Sequence, residues 1–180
     1  METTLQASKQ ARGHINQATL VRGMAWGLIA GLAGTLFMDV ILMGALSAVG
    51  LPAFTCFSIV GNTAARFFSI LGVEMAGGVP LGAVTHYLIG PLVGVIFGIA
   101  LAKIADLRVI NLKKGMLLAV LYVEILSQPI LATTPILLKM TAAETLQWFG
   151  GSFVMHFIFA VVLGVIVSYG LRLTSAGSQP

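Results

Sequence analysis

Three ionisable residues stand inside apolar stretches of this chain, each at the end of a run of small residues: Asp39, His86 and His156. A carboxylate and two imidazoles can make a hydrogen-bonded knot, a proton or ion path, or a ligand set for Zn, Fe or Mn. Two histidines at equal depth on facing helices, with glycines beside them to make room for a macrocycle, would also suit the axial positions of a b-type haem. A further pair, Glu124 and Gln128, lies one helical turn apart, and the adjacent Pro129 leaves a backbone carbonyl without its amide. Asp39, His86, His156, Glu124 and Gln128 are therefore the candidate site, with His86, His156 and Asp39 as the candidate metal ligands. No close pair such as His-x-x-x-His reinforces a metal centre. The expectation is no cofactor, with haem b as the alternative.

What must position these groups is lipid. Only 9% of the residues are charged and 58% are hydrophobic, against about 25% charged in a soluble domain. The apolar residues fall into blocks at 24–49, 81–102, 115–138 and 153–171, and roughly 20 residues suffice for a helix to cross the hydrocarbon core. The expected fold class is an all-α membrane protein of four transmembrane helices, with a tail at 1–22, a membrane domain at 23–173 and a second tail at 174–180. The first block is too long for a signal-peptide core and contains Asp39, so it reads as a retained helix. The polar ends are expected to be disordered.

Ten basic residues oppose six acidic ones, but their placement says more than their sum. Lys9, Arg12 and Arg22 precede the first helix; Lys103, Arg108, Lys113 and Lys114 separate the second from the third; Arg172 follows the fourth. Basic residues collect on the cytoplasmic side, so both termini should be cytoplasmic. Trp26 and Tyr169 then fall near the inner interface and Tyr87 and Trp148 near the outer. The excess of positive charge is a topology signal, and nucleic acid is excluded as a partner. His14 belongs to the solvated tail. The lone Cys56, on the outer side, forms no framework.

Small residues recur every fourth position: Gly23, Gly27 and Gly31 in the first helix, Gly90, Gly94 and Gly98 in the second, and Ala160, Gly164 and Ser168 in the fourth. Such stripes let helices approach closely in a solvent that gives them no hydrophobic reward for associating. Extended outward by four residues from Thr35, Gly90 and Ala160, they reach Asp39, His86 and His156. Asp39 is 17 residues from Arg22, His86 is 17 from Lys103 and His156 is 16 from Arg172, which puts all three about 25 Å above the cytoplasmic boundary. Glu124, ten residues from Lys114, should lie deeper, about 15 Å up.

A shift of 70 residues, the separation of His86 from His156, aligns 86–98 with 156–168, matching Gly94 to Gly164, Val95 to Val165 and Ile96 to Ile166. Arg22-Gly23-Met24 likewise matches Lys114-Gly115-Met116, and Thr63-Ala64-Ala65 in the first outer loop matches Thr141-Ala142-Ala143 in the second. The halves read as parallel-repeat hairpins about an axis along the membrane normal. Within the long first outer loop, Phe57, Val60, Ala64, Phe67, Phe68 and Leu71 approach helical spacing, which predicts an amphipathic helix at the outer interface.

Ala33-Gly34-Thr35-Leu36-Phe37-Met38-Asp39, Gly50-Leu51-Pro52 and His86-Tyr87-Leu88-Ile89-Gly90 resemble the pattern of a family of small bacterial inner-membrane proteins grouped as a domain of unknown function. The resemblance covers mainly residues 27–100. It departs in the outer loop, where Gly-Arg-Trp is expected and Gly61-Asn62-Thr63 stands, with the arginine at Arg66. It implies four helices and a bacterial membrane, singles out Asp39 and His86, and supplies no activity.

No Walker loop, dinucleotide turn, Cys-x-x-Cys pair or nucleophile elbow is present. The expectation is a non-enzymatic inner-membrane protein, an accessory subunit of a membrane complex or a homo-oligomer, whose partners are lipid and other transmembrane helices or its own copies. The alternatives are a small transporter or ion-conducting protein using Asp39, Glu124, His86 and His156, and a haem electron carrier. Orientation can be tested first: a membrane-impermeant thiol reagent should label Cys56 in intact cells, and external protease should spare the N-terminal tail. Cleavage of that tail from outside would reverse the topology.

Overall fold

The computed structural model describes residues 17–104, 107 and 111–176. Lys9, Arg12, His14, Arg108 and most of the two expected tails lie outside them. All the described regular structure is helical: α1 Gln17–Ala48, α2 Thr55–Ile70, α3 Val79–Lys103, α4 Leu112–Leu138 and α5 Ala142–Ala176. Four of these helices, all but α2, are long and apolar enough to cross a membrane.

Local chemistry sets the ends. The Asn111 side chain caps α4 by accepting the Lys114 amide at 2.7 Å. Gly78, at φ 86°, turns the chain into α3 in a backbone region that favours glycine. The start of α5 differs from the expected 153, since Thr141 and Glu144 form a reciprocal cap. Glu144 Oε2 accepts from the Thr141 amide and hydroxyl at 2.8 Å, and the Glu144 amide donates back to Thr141 Oγ1 at 3.3 Å. This capping box starts the helix at Ala142 and turns an expected loop into an outer extension of α5.

In the bundle, α1 packs on α3 and on α5, α5 packs on α4, and α2 bridges α3 and α4, which otherwise barely touch. The α1–α3 contact is made of backbone. A side chain placed on Gly23, Gly27 or Gly31 would start on the carbonyl oxygen of Gly98, Gly94 or Gly90 respectively. The relation is reciprocal for the first two pairs: Gly94 faces the Gly27 carbonyl and Gly98 the Gly23 carbonyl. Glycine Cα hydrogens therefore point at carbonyl oxygens across the interface, a contact worth about 0.5–1 kcal/mol each.

On the other side of the molecule, Gly164 of α5 lies against Met116, Gly115 and Ala119 of α4, and the Trp26 indole of α1 covers Gly170 of α5. Ala160 and Ser168 are fully buried, as are Leu163 and Val167 beside them. Between α3 and α4, Tyr122 stacks on Phe97 with ring centres 5.2 Å apart and donates its hydroxyl to the Val93 carbonyl at 3.1 Å.

Helix α2 is held by its own small residue. Gly61 meets the backbone of Gly78 and Gly82, the neighbouring Asn62 Oδ1 accepts the Gly78 amide at 2.9 Å, and Thr63 Oγ1 lies 3.3 Å from Thr134 Oγ1 of α4. Its buried residues are Phe57 and Gly61. Phe67 and Phe68, part of the expected apolar stripe, remain exposed.

Leucine at Gly94 would collide with the Gly27 carbonyl, and leucine at Gly164 with Met116. Each should lower the stability of the detergent-solubilised bundle by about 1–3 kcal/mol or more. Leucine at Gly44, which has open space around it, should be tolerated. Thermal denaturation of the three variants provides the check, and equal midpoints would contradict the backbone-contact assignment.

Candidate functional site

The α1–α3 ladder leads outward into the first polar pair. Beyond Gly31 and Gly90 comes Thr35, whose hydroxyl donates to the Gly31 carbonyl at 2.9 Å and presses on Gly90. One turn further, Asp39 Oδ1 and His86 Nδ1 share a hydrogen bond at 3.1 Å. Asp39 is only 3% exposed. Nδ1 is the ring nitrogen engaged, which leaves Nε2 as the second.

Helix α2 closes this pair from outside. The Phe57 ring meets His86 edge to face at 5.4 Å, and the Cys56 thiol faces the same imidazole. The Tyr87 phenol approaches the carboxylate without closing a hydrogen bond to Oδ2, which stays buried and partnerless. The site is thus assembled by three elements: a carboxylate from α1, an imidazole from α3 and an aromatic cover from α2.

His156 takes a different course. Its Nδ1–H donates to the Ser152 carbonyl of its own helix at 2.8 Å; a carbonyl can only accept, so this nitrogen carries the proton. It lies within electrostatic range of His86, yet no described hydrogen bond ties it to Asp39 or His86. Among the described residues there is no group of three or more His, Cys, Asp or Glu side chains placed to hold a metal ion.

Glu124 and Gln128 occupy another face. Gln128 Nε2 donates to Glu124 Oε2 at 3.2 Å, while Oε1 is enclosed with no partner. Both residues line a groove of about 520 Å³ between α4 and α5, walled by Ile125, Phe149, Gly150 and Phe153.

The depth expected for Glu124 is corrected by the helix pairing. About eight residues separate Gly164 from His156, and about eight separate its neighbour Met116 from Glu124. Glu124 therefore stands level with His156, within about a turn, and not below it. The reason is stagger: α4 begins further out than α1, so distance from the nearest lysine is not depth in the bundle.

Several contributors carry no signal of their own in the sequence. Phe57 and Cys56 acquire their roles when α2 folds onto α3. Trp148, expected at the interface, donates Nε1–H to the Leu131 carbonyl at 3.1 Å. That carbonyl lacks its helical amide because Pro135 stands four residues on. The proline marks the orphan acceptor, but nothing local identifies its distant donor.

Asp39→Ala and His86→Ala should each destabilise the bundle, because each leaves a buried polar partner unsatisfied. Combined, they should fall short of additivity by about 0.5–3 kcal/mol, whereas His156→Ala combined with Asp39→Ala should add within about 0.5 kcal/mol. A double-mutant cycle on thermal or denaturant stability measures both, and strict additivity of the first pair would dissolve the Asp39–His86 interaction. The chain matches no family model, no curated protein and no solved structure.

Proposed function

We propose that this multi-pass membrane protein is a non-enzymatic component of the bacterial inner membrane, with both termini cytoplasmic, that works by docking transmembrane helices into the α4–α5 groove. It would be an accessory subunit of a membrane complex or a homo-oligomer. The observation that carries this reading is the position of Glu124 and Gln128, which line a groove on the outer side of one helix pair and not the packed interior. Intramembrane ionisable groups are costly and are kept for a use.

Reading the two hairpins as a parallel repeat strengthens the contrast. In the first hairpin Gly94 meets Gly27; in the second Gly164 meets Ala119, the position that corresponds to Gly27 when Gly23 is matched to Gly115. In that register Glu124 and Gln128 correspond to Leu32 and Leu36, which are exposed. Leucine thus serves the fold at these positions, and the polar pair serves something else. Two related hairpins would be expected to touch equally at α1–α5 and at α3–α4. The second contact is sparse, and α2 packs against both helices there.

A small ion-conducting protein is the second reading, favoured by the enclosed, partnerless Oδ2 of Asp39. It ranks lower because the backbones of α1 and α3 meet directly beneath that carboxylate and leave no passage between them.

The assembly reading is tested by mass. In native gels of gently solubilised membranes the protein should migrate well above a single chain, and Gly150→Leu, which fills the groove, should shift it toward the monomer. An unchanged monomeric mass, or an assembly indifferent to Gly150→Leu, would remove the groove from the function.

A further inference from the structure

The partner of the α4–α5 groove can be specified by charge. We infer that the groove receives a transmembrane helix of another protein, one that carries a basic residue level with Glu124. This inference rests on the reading of the groove as an assembly surface and adds to it the chemistry of the occupant.

Glu124 stands inside the membrane-spanning α4 Leu112–Leu138, level with His156, where a carboxylate without a counter-charge is expensive. Its surroundings do not neutralise it. One oxygen accepts from the neutral amide of Gln128, the other is enclosed by the chain without a partner, and the remaining walls are Ile125, Phe149, Gly150 and Phe153. Pro129 also withholds the amide that would bond the Ile125 carbonyl. The groove is therefore rich in acceptors and poor in donors. A lysine ammonium or arginine guanidinium supplies donors only, and the two phenyl faces suit a cation as well.

The size and openness of the site favour a helix. Gly150 and the adjacent Gly151 have no atom of this chain near the place of a side chain, although glycine weakens a helix by about 1 kcal/mol relative to alanine. By contrast Gly23, Gly27, Gly31, Gly94, Gly98 and Gly164 all meet a neighbour within the bundle. Glycines left open beside a polar groove allow an incoming backbone to approach, and small residues with hydrogen-bonding side chains are what associates helices in lipid.

A second copy does not meet the charge requirement. Among the described residues, Arg22, Lys103, Lys113, Lys114, Lys139 and Arg172 all lie at the ends of the membrane helices. Arg66 belongs to α2. A copy inserted in the same orientation would place these groups at the membrane surfaces and its own carboxyl opposite Glu124. The cation is therefore assigned to a different chain.

The test uses the full-length protein in phosphatidylcholine vesicles and three dye-labelled, Trp-flanked Leu/Ala peptides of about 25 residues, with Lys, Leu or Glu at the position that lies level with Glu124. Energy transfer to a dye on the protein reports association. The Lys peptide should bind about tenfold more tightly than the Leu peptide, and the Glu peptide no better than the Leu one. Glu124→Gln, a neutral substitution of nearly the same shape, should abolish the Lys preference, and Gly150→Leu should weaken binding of the Lys peptide. Equal binding of the Lys and Leu peptides, or a preference that survives Glu124→Gln, would overturn the cationic partner. If native assemblies still collapse with Gly150→Leu while the peptides show no preference, the groove remains an assembly surface and only the charge assignment fails.

Discussion

The α1–α3 contact is the constraint on which the rest of the structure depends. In lipid, apolar side chains lose nothing by facing the solvent, so two helices associate only if their contact exceeds what acyl chains already offer. Removing the side chain at Gly23, Gly27, Gly31, Gly90, Gly94 and Gly98 lets carbonyl oxygens reach Cα hydrogens along three successive turns. The geometry that follows is narrow. Once the backbones touch at these glycines, the next positions outward on α1 and α3 are aligned, and Asp39 and His86 meet at 3.1 Å.

Helix α2 depends on the same arrangement. It has a glycine of its own, Gly61, set against Gly78 and Gly82 at the outer end of α3, so the small-residue rule extends to an element that does not span the membrane. Phe57 then covers His86, and the hydrogen-bonded pair is shielded on the α2 side. Because the second outer connection is only a few residues long and ends in the Thr141–Glu144 cap, the second hairpin has no such cover. His156 answers by donating within its own helix.

Hydropathy and basic-residue placement make the four spans legible because length and composition alone decide whether a helix can cross a membrane. The small-residue stripes, too, are visible as spacing, and they lead the eye to Asp39 and His86. What the sequence conceals is relative height. Counting from Lys114 sets Glu124 below the other polar groups, yet the contact of Gly164 with Met116 brings it level with His156, since helix stagger is a property of packing. The start of α5 could have been found from Thr141-x-x-Glu144, a capping box read instead as part of a loop match. The bond from Trp148 to Leu131 joins residues whose proximity depends on the α4–α5 pairing.

Polar groups in this bundle meet three fates, and the difference between them locates function. His156 donates to a carbonyl four residues away, which any helix can provide. Asp39 Oδ1 and His86 Nδ1 share a hydrogen bond across two helices, which this bundle provides through its glycine contacts. Glu124 has only a neutral amide on one oxygen and nothing on the other. Asp39 and Glu124 each leave one oxygen without a partner, but only Glu124 lines a groove beside two glycines with space around them, which has the form of one half of a contact. The other half has to bring both the neutralising charge and the packing surface.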